Sequence, residues 1–218
     1  MNKKRDLGKQ RRDYVAKPLR RSDLASHPID QFSNWYADAE KHCYGYPNPM
    51  VLSTIDPSGQ PYSRVVLLKR FSLQGFVFYT NYQSDKAQQI AHNPQVSLLF
   101  FWEALERQVI IKGVAEQTSF EAADEYFASR PRGSQISARA SDQSQAIPSR
   151  EALEQRFQTL SEQYEGEDIP RPENWGGYLV APTSIEFWQG QPDRLHDRIR
   201  YSRGDKVSQR WDIERLSP

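Results

Sequence analysis

One cysteine, Cys43, stands among 218 residues. An internal disulfide is therefore excluded, and so is a metal centre of clustered thiolates. Four histidines, His27, His42, His92 and His196, occur without metal-ligand spacing, so no metal is expected. Hydrophobic residues make up only 37% of the chain. No run approaches the roughly 18 apolar residues of a membrane span, so no membrane partner is expected. No apolar stretch follows the charged N-terminus, so no secretory leader is expected and a cytoplasmic protein is the reading. There is no Gly-x-Gly-x-x-Gly after a strand and no Gly-x-x-x-x-Gly-Lys-Ser/Thr, which removes the common dinucleotide and P-loop sites. No Gly-x-Ser-x-Gly elbow marks a serine hydrolase.

Aromatic residues are what the chain does have, with 5 Trp, 11 Tyr and 10 Phe. Large rings bury much area each, so a core is affordable despite few aliphatics. Charge is uneven. Residues 1–21 hold nine basic side chains and two acids, against a net charge of +1 for the whole chain. A basic arm on a mildly acidic body leaves three readings open: a nucleic-acid contact, an anionic small molecule, or a solvated tail.

Ile29, Phe32, Trp35, Tyr36 and Ala39 recur at helical spacing, so His27 to His42 is expected to be a helix. From Met50 the period becomes two. Strands are expected over Met50–Ile55, Tyr62–Phe71 and Phe76–Thr80, with turns at Asp56-Pro57-Ser58-Gly59 and Ser72–Gly75. Ser84 to His92 is expected to be a short helix with Ser84 as N-cap. Val96–Trp102 and Arg107–Glu116 are expected strands. Phe120–Ser129 and Ser149–Tyr164 are expected helices, and residues 133–148 a loop or weak helix. Four closing strands are expected over Tyr178–Val180, Ile185–Gln189, Leu195–Tyr201 and Val207–Ile213. Nine mostly antiparallel strands with inserted helices indicate a mainly β, α+β barrel.

Cations planted in or beside apolar strands carry the chemical signal, because an unpaired buried charge is costly. Arg64 and Lys69 flank Val65-Val66-Leu67-Leu68. Lys86 lies in the first turn of a helix beside Ser84, where an anion is favoured. Tyr126 and Arg130 share a helix face, and Arg132 and Ser134 follow, a donor set suited to a phosphate monoester. Arg194, His196 and Arg198 alternate along an expected strand, which would point all three one way. The bland readings are surface ion pairs, helix-end capping and a structural histidine.

Eight collinear segments resemble the pyridoxine/pyridoxamine 5′-phosphate oxidase family. They are Arg64–Lys69, Phe78–Asn81, Ser84–Ala87, Leu105–Val109, Tyr126–Ile136, Trp175–Gly177, Ile185–Gly190 and Arg194–Arg198. The resemblance runs from about Arg11 to Pro218. It implies an antiparallel split β-barrel of the FMN-binding type, formed by residues 27–218, and a homodimer with FMN at the interface. It implies a basic arm, residues 1–26, that acts partly as a mobile lid through Arg11 and Tyr14. It implies FMN contacts from Arg64, Val65, Leu67, Lys69, Tyr79, Thr80, Lys86, Gln108, Gln143, Ser144, Trp188 and Arg198. The substrate phosphate would be held by Lys69, Tyr126, Arg130 and Ser134, with Arg194 and His196, the implied catalytic pair, flanking the pyridine ring.

The implied reaction is oxidation of pyridoxamine or pyridoxine 5′-phosphate to pyridoxal 5′-phosphate, with O2 as acceptor and H2O2 as product. No nucleic-acid partner is then required. A flavin reductase or non-catalytic flavin binder of the same fold is the alternative. Such a protein has no need of Tyr126, Arg130, Ser134, Arg194 and His196 together. Three features depart from the family pattern. Asp85 takes the place of a basic residue beside Lys86, and Ala140-Ser141 replaces a segment that often carries a Trp. Arg64 and Lys69 are five apart, on opposite faces of an ideal strand. For both to serve one site, a bulge or strand end must lie between them, or two adjacent sites across the dimer must be used.

Overall fold

The computed structural model describes residues 13–203 and 210–218. The chain divides into two compact units. One comprises the N-terminal segment to Pro47, Phe100–Ile110 and Ser184–Pro218; the other comprises Asn48–Leu99 and Ile111–Thr183.

The second unit is built on strands β1 (Pro49–Ile55), β2 (Pro61–Leu67), β3 (Arg70–Ser72) and β4 (Gly75–Asn81), helix α2 (Asp85–His92), and parts of β5 (Gln95–Trp102), β6 (Arg107–Gln117) and β7 (Trp175–Gln189). Helices α3 (Phe120–Ser129), α4 (Arg132–Ala140) and α5 (Arg150–Gln163) complete it. The strand order is β2-β1-β5-β6-β7-β4-β3. β1 pairs antiparallel with both β2 and β5, and β4 with both β3 and β7. Alternation along β1 buries Met50, Leu52 and Thr54, as a period of two demands. Phe76, Phe78, Leu98, Ile111 and Val180 are buried as well. A smaller cluster of Phe127, Ile136, Ile169 and Trp175 sits under the helices, with Phe157 and Leu160 of α5 packed against it.

The first unit holds helix α1 (Pro28–His42), β8 (Asp197–Arg203) and β9 (Trp211–Leu216), with β8 pairing antiparallel to β7 and β9. His27 caps α1 by accepting from the Ile29 N–H, and Pro28 occupies the first turn. The buried face of α1 carries Ile29, Phe32, Trp35 and Ala39. Phe32 meets Phe100 edge-on at 5.1 Å and Trp35 meets Phe187 at 5.2 Å. Arg107 lies 4.5 Å over the Trp35 ring and pairs with Asp38 at 2.8 Å.

The antiparallel split barrel with peripheral helices is as expected, but several boundaries differ. The strand expected over Tyr62–Phe71 is two strands. Leu68 N–H donates to Asn48 and Lys69 N–H to Val77, so the chain changes partner from β1 to β4 at this step. Arg64 and Lys69 thus lie on either side of a strand end. The strands expected over Tyr178–Val180 and Ile185–Gln189 are one continuous strand, because β4 pairs with its first half and β8 with its second. Of the loop or weak helix expected over 133–148, the structure has a regular helix at Arg132–Ala140. The Gln135 amide donates to the carbonyls of Phe127, Ala128 and Arg130, satisfying the end of α3. The strand expected over Val207–Ile213 falls partly outside the described residues; the observed strand is Trp211–Leu216.

Gly75 closes the β3–β4 hairpin at φ +143, and a Cβ there would lie 2.1 Å from the Val180 carbonyl oxygen. Both the backbone and the neighbour oppose a side chain. Gly75→Ala is expected to cost about 2 kcal/mol or more of stability. A denaturation midpoint equal to that of the parent protein would contradict this.

Candidate functional site

A cleft of about 660 Å³ opens in the second unit. Its lining includes Lys69, Lys86 and Arg130, with Tyr126, Ser134, Thr80 and Gln143, and, among the described residues, no aspartate or glutamate. Three cations without a carboxylate make a site for anions. Val65, Leu67 and Tyr79 line it as well.

The floor is a stack of rings. Tyr79 and Tyr126 lie 3.9 Å apart at 19°, and Trp175 lies 5.5 Å from Tyr79 at 10°. Tyr79 and Trp175 are set by the β4–β7 register, and Tyr126 by the last turns of α3. The Arg130 guanidinium rests 4.6 Å over Trp175 and the Lys69 ammonium 6.0 Å over Tyr126. Arg130 Nη1 is buried and has no hydrogen-bond partner among the described residues. Burial holds the Arg130 pKa below its ordinary value, with Tyr126 opposing. A buried guanidinium donor is costly to leave unmet, so the position calls for an anionic acceptor.

Lys86 forms the other end. Its ammonium donates to Gln143 Oε1 at 2.8 Å, Ser84 Oγ at 3.1 Å and Thr80 Oγ1 at 3.2 Å. Its pKa is pushed down to about 8, chiefly by burial and then by the charge of Arg64, with Asp85 opposing. Ser84 takes the N-cap backbone position but its hydroxyl donates to the Asn81 carbonyl instead of capping, a correction to the expected cap. Asp85 is exposed in the first turn of α2, where its charge suits the helix dipole. Its N–H donates to Ser144 Oγ at 3.3 Å, and Ser144 has φ +73. Ala140 is buried at the end of α4, so no bulky side chain is needed there.

Arg64 does not line this cleft. Its guanidinium donates to Thr54 Oγ1 at 2.5 Å, Gln89 Oε1 at 2.9 Å and Leu52 O at 3.3 Å. Neutral acceptors thus meet this cation where sequence reasoning anticipated an anion.

In the first unit, the expected alternation of Arg194, His196 and Arg198 along one strand is not found. Pro192 opens a short 3-10 turn, Asp193 and Arg194 take φ +55 and +61, and β8 begins only at Asp197. His196 Nδ1 accepts from the Gln191 N–H at 3.0 Å. Trp188 and Tyr14 flank its ring at 4.7 and 5.3 Å. Arg198 is paired with Glu186 at 2.7 Å, so its neutralising charge comes from the protein. Gln108 is half-buried on β6. Arg11 lies outside the described residues. Residues that sequence reasoning missed are Thr54 and Gln89 around Arg64, Trp175 beneath Arg130, Glu186 opposite Arg198, and Glu106. Their roles depend mostly on partners distant in sequence, although Trp175 already stood in the Trp-Gly-Gly motif.

Among the described residues, a nine-stranded antiparallel split barrel carries a cleft lined by three cations and no carboxylate. Residues 37–164 match the family model described as pyridoxamine 5′-phosphate oxidase. Residues 175–218 match that of the pyridoxine 5′-phosphate oxidase C-terminal dimerisation region. The chain is 52% identical to a pyridoxine/pyridoxamine 5′-phosphate oxidase of Flavobacterium johnsoniae, over 97% of this chain and 99% of that protein. One from Gloeothece citriformis is 49% identical over 95% of this chain and 96% of its own length. Among solved structures, PhzG from Burkholderia lata in complex with tetrahydrophenazine-1-carboxylic acid superposes with a TM-score of 0.85. It is 28% identical and covers 93% of this chain and 99% of its own. A pyridoxamine 5′-phosphate oxidase-related, FMN-binding protein from Nostoc punctiforme shares the fold at a TM-score of 0.69 and 18% identity, covering 89% of this chain and 100% of its own. The chain belongs to the pyridoxamine 5′-phosphate oxidase family of split-barrel flavoprotein oxidoreductases. Among the described residues, no helix is long and apolar enough to cross a membrane.

Proposed function

We propose that the protein oxidises pyridoxamine or pyridoxine 5′-phosphate to pyridoxal 5′-phosphate with FMN as cofactor, acting as a homodimer with FMN at the interface. The observation that carries this is the buried, unpartnered Arg130 donor in a cleft that also presents Lys69, Tyr126 and Ser134. A phosphate dianion suits that donor set, which offers charge and several directed N–H and O–H groups.

The residues fit FMN as well. Lys86, with Thr80, Ser84 and Gln143 around its ammonium, forms a second anion pole in the same cleft. Arg64, Val65, Leu67, Tyr79, Gln108, Ser144, Trp188 and Arg198 are the further proposed contacts. When bound, FMN supplies a two-electron acceptor that dioxygen regenerates, with hydrogen peroxide as product. The protein's own task is orientation. Lys69, Tyr126, Arg130 and Ser134 grip the substrate phosphate far from the reacting carbon, and that remote binding energy fixes the ring. Arg194 and His196 flank the pyridine ring, and Tyr14 and Arg11 belong to the segment that closes over it.

The test is direct. Purified protein should be yellow and should release peroxide with pyridoxamine 5′-phosphate, but at least about 100-fold less efficiently with unphosphorylated pyridoxamine. Colourless protein that takes up no added FMN would refute the cofactor. Turnover of a carboxylated tricycle of the kind bound by PhzG, without turnover of the phosphorylated vitamers, would refute the substrate and leave a different oxidase of this fold.

A further inference from the structure

The turn between β5 and β6 ends on Glu106, which is only 5% exposed and has φ +54. A buried carboxylate in a left-handed conformation is costly twice over, in desolvation and in backbone strain. Its Oε2 accepts the backbone N–H groups of Val15 at 2.9 Å and Ala16 at 3.0 Å, ninety residues away in sequence. Its own carbonyl accepts the Gly190 N–H at 2.8 Å, which ties the turn to the end of β7.

That tie prepares a seat. A Cβ on Gly190 would fall 2.6 Å from the Tyr14 ring and 3.1 Å from Glu106 Cβ, so the missing side chain is the space the ring occupies. Tyr14 then meets Trp188 edge-on at 5.6 Å and His196 at 5.3 Å. Further along, the segment has other anchors. Gln191 Nε2 donates to the Lys17 carbonyl at 3.2 Å, and Leu19 N–H donates to Asp197 at 2.8 Å. Those anchors hold residues 17–19, whereas at residues 15 and 16 the anchor is Glu106.

We propose that Glu106 is a positioning residue whose carboxylate latches the N-terminal strap and so holds the Tyr14 ring against His196. This rests on the proposed oxidase function for its kinetic consequence, but the latch itself is a property of the chain. The strap is docked through contacts within the chain itself, so the Tyr14–His196 wall is assembled by the protein's own residues. Loss of the latch weakens substrate capture and leaves the chemical step alone.

The experiment compares Glu106→Ala, Glu106→Gln and Val15→Pro with the parent holoenzyme. Amide hydrogen exchange, read by mass spectrometry over residues 13–19, reports the latch without any turnover. Glu106→Ala should lose protection at Val15 and Ala16 and raise KM for pyridoxamine 5′-phosphate about tenfold, with kcat within about twofold. Glu106→Gln should restore both, since the amide oxygen accepts the same two N–H groups. Val15→Pro deletes one donor on a residue that is 84% exposed, so it acts without threatening the fold even where Glu106→Ala fails to fold. It should speed exchange at Ala16 and raise KM in the same direction. Unchanged exchange in either Glu106→Ala or Val15→Pro overturns the latch. A fall in kcat at constant KM, or a glutamine variant that matches alanine, also overturns it. If the parent protein turns over no phosphorylated vitamer, the functional reading fails while the exchange data still decide the latch.

Discussion

Arg130→Leu is expected to lower kcat/KM for pyridoxamine 5′-phosphate by about two orders of magnitude, almost wholly through KM, while FMN content stays near that of the parent protein. Leucine keeps an apolar contact with Trp175, so packing is largely preserved. What is lost is a guanidinium held 4.6 Å over that ring with an unmet Nη1. A hydrogen bond to a charged group contributes about 1.5–3 kcal/mol, and a bidentate contact counts two. Arg130→Lys should recover only part of the loss, because an ammonium cannot reproduce the planar fork. Steady-state kinetics with the phosphorylated and unphosphorylated amine decide the point. If both substrates lose equally, Arg130 does not read the phosphate.

The second large effect concerns Lys86. Lys86→Met should weaken FMN about 100-fold, measured by quenching of flavin fluorescence on titration into apoprotein. The pH dependence gives a sharper signature. The ammonium pKa is pushed down to about 8 by burial and by Arg64. Below pH 8 the group is charged and ready for a phosphate. Above pH 8 the apoprotein must take up a proton to bind, so the dissociation constant of FMN should rise with pH through that value. In Lys86→Met the rise should disappear.

The sign for apoprotein stability is opposite. The folded-state pKa lies below the ordinary lysine value of 10.5, so the unfolded chain binds more protons between about pH 8 and 10.5. The contribution of Lys86 to stability therefore improves as pH rises through that window. An FMN affinity that is flat across pH 7 to 9.5 in the parent protein would count against this account.

Much of the frame was legible in the chain. The apolar stripe of α1, the alternation of β1 and the turn residues at Asp56–Gly59 read locally, and the structure has them within a residue or two. The spacing of Arg64 and Lys69 allows a strand end between them, and the structure has one at Leu68, although Arg64 does not line the cleft. The failures share a cause. The strands expected over Tyr178–Val180 and Ile185–Gln189 are one, because a local signal does not show that β4 and β8 each pair with half of β7. Arg194, His196 and Arg198 read as one strand face, since left-handed φ at Asp193 and Arg194 leaves little trace in residue type. Trp175 and Glu186 took on meaning only from the fold, which brings Arg130 and Arg198 to them.

The hydrogen bond from the Gln191 N–H to His196 Nδ1 has a chemical consequence for the imidazole. With Nδ1 occupied as an acceptor, a neutral ring carries its single proton on Nε2. That nitrogen can only donate, toward an oxygen or an anionic ring substituent. On the proposed function, His196 would act as a hydrogen-bond donor to the substrate, and a proton released from the substrate's amine or hydroxyl group would have to leave by another route.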